Sequence, residues 1–247
     1  MIIKSPKQER TYREAGEISS EILRELGSSI EVDLTPLDIE ALAQELCREY
    51  KVKPSFATVP GYDYATCISV NDCILHGIPN DIPFVEGDLV KIDFGIIYKG
   101  FYTDHCWTWG VGEISKEDRR LMVAGREATE SGCRQAVVGN KTGDISHALI
   151  STAEKYGYTT LEEFAGHGIG KSLHNKPEIL SFGDPDTGDI LKDGMVICVE
   201  CQVVYSDDIY IADNGWDVMS SDGSKGSMYE YLGIVREGKF VKLTDSF

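Results

Sequence analysis

Four carboxylates and one histidine stand at positions where ordinary packing gives them no partner. The stretch KIDFGIIYKGFYTDHCW, residues 91–107, reads as two strands joined at Lys99-Gly100, and it carries Asp93 and Asp104. Aspartate is depleted in strands because its short side chain competes for backbone hydrogen bonds, and a buried charge is costly without compensation. With a two-residue turn, Asp93 faces Cys106 and Asp104 lies one diagonal step away on the same face. Alternation puts Val90, Ile92, Phe94 and Ile96 on one face and Lys91, Asp93 and Gly95 on the other, so the second face is either solvated or a site. GMVICVECQV sets Glu200 inside an apolar run, and SMYEYLGIV does the same for Glu230. Four inward acids would repel one another by several kcal/mol unless cations neutralised them. His167, in GHGIGKSLH, completes a donor set of oxygens and one imidazole. Such a set suits paired Mn, Fe, Co or Zn ions bridged by carboxylates.

Three other motifs fail on spacing or context. GKS at 170–172 imitates a phosphate loop, but Ala165 occupies the position of the required first glycine, and Pro177 breaks the helix that should follow. DPDTGD at 184–189 imitates a calcium loop, yet its twelfth position is Met195 and no flanking helices are evident, so it reads as a turn. CVEC at 198–201 lies in an apolar strand with no second CxxC, which argues against a redox pair or a zinc tetrad.

The elements that must position these residues recur in order. Ser5 to Leu26 has helical spacing and Gly27 follows where a helix would stop; Pro36 opens a second helix running to about Tyr50. Strands follow through Cys67–Val70 and Leu89–Trp109. Helices then return at Ser115–Val137 and Asp144–Tyr156, and strands dominate from Met195 to Val235. Asp38-Ile39 precedes Tyr50 at the interval separating Asp144-Ile145 from Tyr156, a faint repeat that points to two related halves. The expected class is α+β, with helices covering one face of a mostly antiparallel sheet. No low-complexity linker divides the 247 residues, so a single domain, 1–247, is expected.

Composition excludes several functions. A formal net charge of −17 repels nucleic-acid backbones and anionic membranes, while favouring metal ions and protonated amino termini. No apolar run approaches a signal peptide or a membrane span, and seven cysteines without regular spacing read as reduced thiols in a cytoplasmic protein.

HGIP at 76–79, the Asp93/Asp104 pair eleven residues apart, GHGIG, GMxxxxE and YE together resemble the type I methionine aminopeptidases over nearly the whole chain. That resemblance implies the "pita-bread" fold of two pseudo-symmetric αβ halves, with no N-terminal zinc finger or prolidase-type extension. It implies two divalent ions (Co, Mn, Fe, Zn or Ni) on Asp93, Asp104, His167, Glu200 and Glu230. Glu200 would shuttle protons, and His76 and His174 would contact substrate and steady the tetrahedral intermediate. Val59, Tyr62, Cys67, Leu173 and Trp216 would line the side-chain pocket. The implied activity is removal of initiator methionine from nascent chains with a small second residue, by a monomer meeting the ribosome only transiently. A broader or Xaa-Pro peptidase, or a peptide-binding paralogue without catalysis, are the alternatives. Departures are Leu173 for phenylalanine, Val59 for tyrosine, Cys198 for threonine, Cys201 for proline and Met228 for glutamine.

Overall fold

The computed structural model describes residues 1–244. Helix α1 (Pro6–Ser28) begins where the Ser5 side chain accepts the Gln8 N–H. It runs through Gly27, contrary to the expected stop. The reason is packing: a Cβ at Gly27 would lie 2.1 Å from the Trp109 ring, so this glycine admits an indole against the helix. In α2 (Pro36–Glu49), Thr35 and Asp38 form a reciprocal capping box and Tyr50 is the C-cap. In α4 (Thr142–Lys155), Asp144 likewise accepts the N-cap N–H, from Lys141, and Tyr156 is the C-cap. The faint repeat therefore marks the caps of two equivalent helices. Helix α3 (Lys116–Gln135), capped by Ser115, precedes α4.

The first half contributes β1 (Lys53–Pro54), β2 (Thr66–Val70), β3 (Cys73–Leu75), β4 (Leu89–Phe94), β5 (Ile96–Tyr98), β6 (Phe101–Tyr102) and β7 (His105–Gly110). The second contributes β8 (Thr159–Thr160), β9 (Ala165–Gly168), β10 (Asn175–Leu180), β11 (Val196–Val204), β12 (Ile209–Ile211), β13 (Val218–Ser220), β14 (Ser227–Arg236) and β15 (Lys239–Lys242). Besides the small sheets β1-β5-β6 and β12-β13-β3, two sheets run β2-β4-β7 and β10-β9-β11-β14-β15, with β8 also on β11, and every strand pairing among the described residues is antiparallel. Thr108 joins them: its hydroxyl donates to Met228 O at 2.7 Å and accepts the Met228 N–H at 3.0 Å. Outward-facing Val90, Ile92 and Phe94 share a core with α1 and α2, and Ile197, Val199 and Cys201 share it with α3 and α4. The inner faces are left for the site.

The hairpin has the expected register, with Asp93 opposite Cys106 and Ile97 opposite Tyr102 around Lys99-Gly100. Both turn residues have positive φ, 48° and 82°, as a tight hairpin turn demands. One expectation fails. Asp104 is not in a strand but in the break between β6 and β7. Gly95 and Thr103 cause it: the Thr103 side chain accepts the Ile96 N–H at 2.8 Å, and a Cβ on Gly95 would meet Thr103 O at 2.0 Å. The GKS segment is followed by β10 rather than a helix, and residues 184–189 form a loop.

Candidate active site

Strand alternation aims the acids inward. On β11, Cys198, Glu200 and Gln202 share the face opposite Val199 and Cys201, so the two CVEC cysteines point to opposite sides and are unbridged. On β14, Glu230 lies directly across from Glu200. Asp104, Glu200 and Glu230 are buried and Asp93 is half-buried. Asp104, His167, Glu230 and the sulfur of Cys198 each bring one potential ligand atom within 4.8 Å of the others. The Asp93 and Asp104 carboxyls touch one another, and Glu200 stands close enough to influence both.

Burial, then mutual repulsion, raises Asp93 and Glu230 well above ordinary carboxylate values; burial followed by the Glu200 charge does the same to Asp104. Burial also raises Glu200 against the opposing pull of His167. Asp93 Oδ1, Asp104 Oδ1 and Glu230 Oε1 have no hydrogen-bond partner despite being buried. Orphaned acceptors of one sign around one point fit a cation.

His167 is prepared for the same role. Its Nδ1 lies 3.1 Å from Gly168 O, which can only accept, so Nδ1 carries the hydrogen. Burial holds the imidazole below its usual pKa, leaving Nε2 with a free lone pair 3.5 Å from Asp104 Oδ2. His174 packs edge-on against His167 at 4.5 Å between centroids, and burial together with the two other histidines lowers it to about 4. His76 is also lowered by burial and packs edge-on against Phe164. Both are therefore neutral N–H donors near pH 7.

His76 adopts φ 58°, a strained value for a residue with a Cβ. Flanking bonds fix it: Gly77 N–H donates to Ser69 Oγ at 3.0 Å and Ile78 N–H to the Asp217 carboxylate at 2.8 Å. Asp217 thereby ties the HGIP loop to Trp216, whose ring meets Tyr62 at 4.9 Å. Tyr62, Cys67, Leu173 and Cys198 form one apolar cluster, with Val59 and Trp216 packed on it, so the expected pocket residues are brought together beside the acids.

Several residues escaped sequence reasoning. Fully buried Lys91 donates from Nζ to Asn71 O at 2.9 Å and Gly226 O at 3.3 Å, behind Asp93. Alternation put it on the face of Asp93, which was the available signal. Buried Glu40 accepts from Ala65 N–H, Thr66 N–H and Thr66 Oγ1 at 2.8, 3.0 and 2.6 Å, fixing the strand that carries Cys67. Its helical spacing with Ala43 and Cys47 marked an acid on an apolar face. Gln202 pairs with Met228 across the β11–β14 ladder, so the amide missing before Tyr229-Glu230 stands on the neighbouring strand.

The model of Metallopeptidase family M24 matches residues 10–237. The chain belongs to this family. Within M24, it is 35% identical to a methionine aminopeptidase of Clostridium acetobutylicum over 93% of both chains, and 33% identical to methionine aminopeptidase 1 of Bacillus subtilis over 99% of both. It superposes on methionine aminopeptidase of Thermotoga maritima with a TM-score of 0.95 at 34% identity, covering 99% of this chain and 100% of that one. Prolidase from Pyrococcus furiosus shares the fold at TM-score 0.81 and 22% identity; this M24 chain covers 66% of its length. The α+β pita-bread architecture thus holds. Among the described residues, no helix is long and apolar enough to cross a membrane.

Proposed function

We propose that this M24 peptidase removes N-terminal methionine from nascent proteins with a small second residue, using two divalent ions held by Asp93, Asp104, His167, Glu200 and Glu230. The observation that carries the reading is the cluster of buried, unpartnered carboxylate oxygens in a chain whose relatives over nearly its full length are methionine aminopeptidases. Divalent ions in such a cluster polarise a carbonyl and bring the pKa of water towards neutrality. Glu200, buried on β11 opposite Glu230, takes the proton of the attacking water and delivers it to the departing amine. Neutral His76 and His174 donate N–H groups to the oxyanion, help worth about 3 to 4 kcal/mol per donor. Tyr62, Cys67, Leu173, Val59 and Trp216 hold the methionine side chain. An internal amide presents no amine to this centre, so recognition of a free α-amine restricts cleavage to the first residue.

Residues 1–247 serve as one catalytic unit, although 245–247 lie outside the described residues. A net charge of −17 supports a monomer that meets RNA-rich ribosomes only transiently, and seven unbridged cysteines support a cytoplasmic one. The Xaa-Pro reading rests on a shared fold alone, at 22% identity.

A peptide screen with measured metal content tests the proposal. Met-Ala-Ser should be cleaved faster than Leu-Ala-Ser, Xaa-Pro peptides should not be cleaved, and Glu200→Gln should lose at least about a hundredfold in kcat with its fold intact. His167→Ala should lose both metal and turnover. Near-normal turnover by either variant would reject the assigned chemistry, and Xaa-Pro cleavage would favour the prolidase reading.

A further inference from the structure

We propose that Cys198 is a sulfur ligand to one of the ions, making this centre softer than the all-oxygen-and-imidazole set. The inference rests on the metal reading above and goes beyond its ligand set. Cys198 lies in β11 directly opposite His167 of β9, and its side chain shares the inner face with Glu200. Its sulfur is one of four potential ligand atoms, with those of Asp104, His167 and Glu230, that lie within 4.8 Å of one another. Two further observations mark the same point as a cation position: Asp104 Oδ1 and Glu230 Oε1 are buried without partners, though their residues are only 4% and 2% exposed.

The thiol has no strong alternative partner. Its nearest backbone acceptor, Asp104 O, lies 3.8 Å away, and its other contact is the Glu230 carboxyl, itself a potential ligand. Burial and the surrounding acids keep the sulfur protonated without an ion. Coordination forms a metal–sulfur bond, breaks the S–H bond and releases the proton to solvent. A threonine at this position, the residue the resemblance leads one to expect, offers only a hard hydroxyl. Thiolate donors favour zinc, whereas carboxylates, carbonyls and water suit manganese. The substitution would therefore move metal preference without disturbing the five common ligands.

X-ray absorption on zinc-loaded protein reads the ligand directly. The wild-type chain should show a sulfur shell at about 2.3 Å, averaging roughly half a sulfur per zinc because one of two ions carries it, beyond oxygen and nitrogen at about 2.0–2.2 Å. Cys198→Thr should lose that sulfur while still binding zinc, and its zinc-over-manganese preference should fall at least about tenfold. Cys106 and Cys67 are the other thiols near the acids, so sulfur persisting in Cys198→Thr would overturn the proposal. Zinc retained by the wild type with oxygen and nitrogen ligands alone would overturn it and spare the metal reading. Failure of the wild type to retain zinc, manganese or cobalt would sink both.

Discussion

Leu173 is the side chain on which the selectivity of the proposed pocket turns. It is buried beside Tyr62 and Cys67, where the resemblance leads one to expect phenylalanine. Leu173→Phe should narrow the space beside these neighbours. Discrimination by an apolar pocket changes by about 1 to 3 kcal/mol per methylene. The ratio of kcat/KM for Met-Ala-Ser over Leu-Ala-Ser should therefore rise about tenfold, and an unchanged ratio would remove Leu173 from the specificity wall. At this scale much was legible. An acid in an apolar run is conspicuous, so Glu200 and Glu230 declared themselves, and Asp93 did so through strand parity. Cys198 did not, because cysteine is an ordinary buried residue; alternation put it on the face of Glu200, and the ladder position opposite His167 brings it to the acids.

Strands and helices were legible wherever one period governed them. The two-residue turn set the hairpin register correctly, and the Asp38/Tyr50 and Asp144/Tyr156 echo proved to be capping chemistry. Gly27 and Asp104 were misread for a common reason: side-chain contacts, from a distant strand at Gly27 and within the hairpin at Asp104, overruled local preference. Trp109 needs the missing Cβ at Gly27, and Thr103 interrupts the ladder beside Asp104. Lys91 belongs to the same class. Its ammonium ties the β2–β3 turn at Asn71 to the approach of β14 at Gly226. Lys91→Met keeps much of the volume but leaves Gly226 O without that donor in a dry interior. Destabilisation of about 1 to 3 kcal/mol should follow, read from the midpoint of urea unfolding. A shift below about half a kilocalorie would mean the tether does not hold the turn to the strand.

For the molecule as a whole, pH and metal are linked through the raised carboxylates. Asp93, Asp104, Glu200 and Glu230 bind protons more tightly folded without metal than unfolded. The native state then carries more protons once pH exceeds the unfolded values of about 4, so metal-free stability falls as pH rises through that window. Bound ions replace those protons and reverse the trend. The difference in Tm between metal-loaded and chelated protein should widen from pH 5 to pH 8. Taking the difference cancels groups common to both forms, including buried His105, which burial holds near about 3. A gap that stays constant with pH would show that protons and metal do not compete.

The ligand set also divides along the chain: the first αβ half supplies Asp93 and Asp104, and the second supplies His167, Glu200 and Glu230. Neither half holds the whole proposed set, so bound ions would add a further tie, a rivet through plates already joined by the β3–β13 ladder and the Thr108–Met228 hydrogen bonds. Backbone cleavage in the connection between them should leave fragments whose association metal tightens and a chelator loosens.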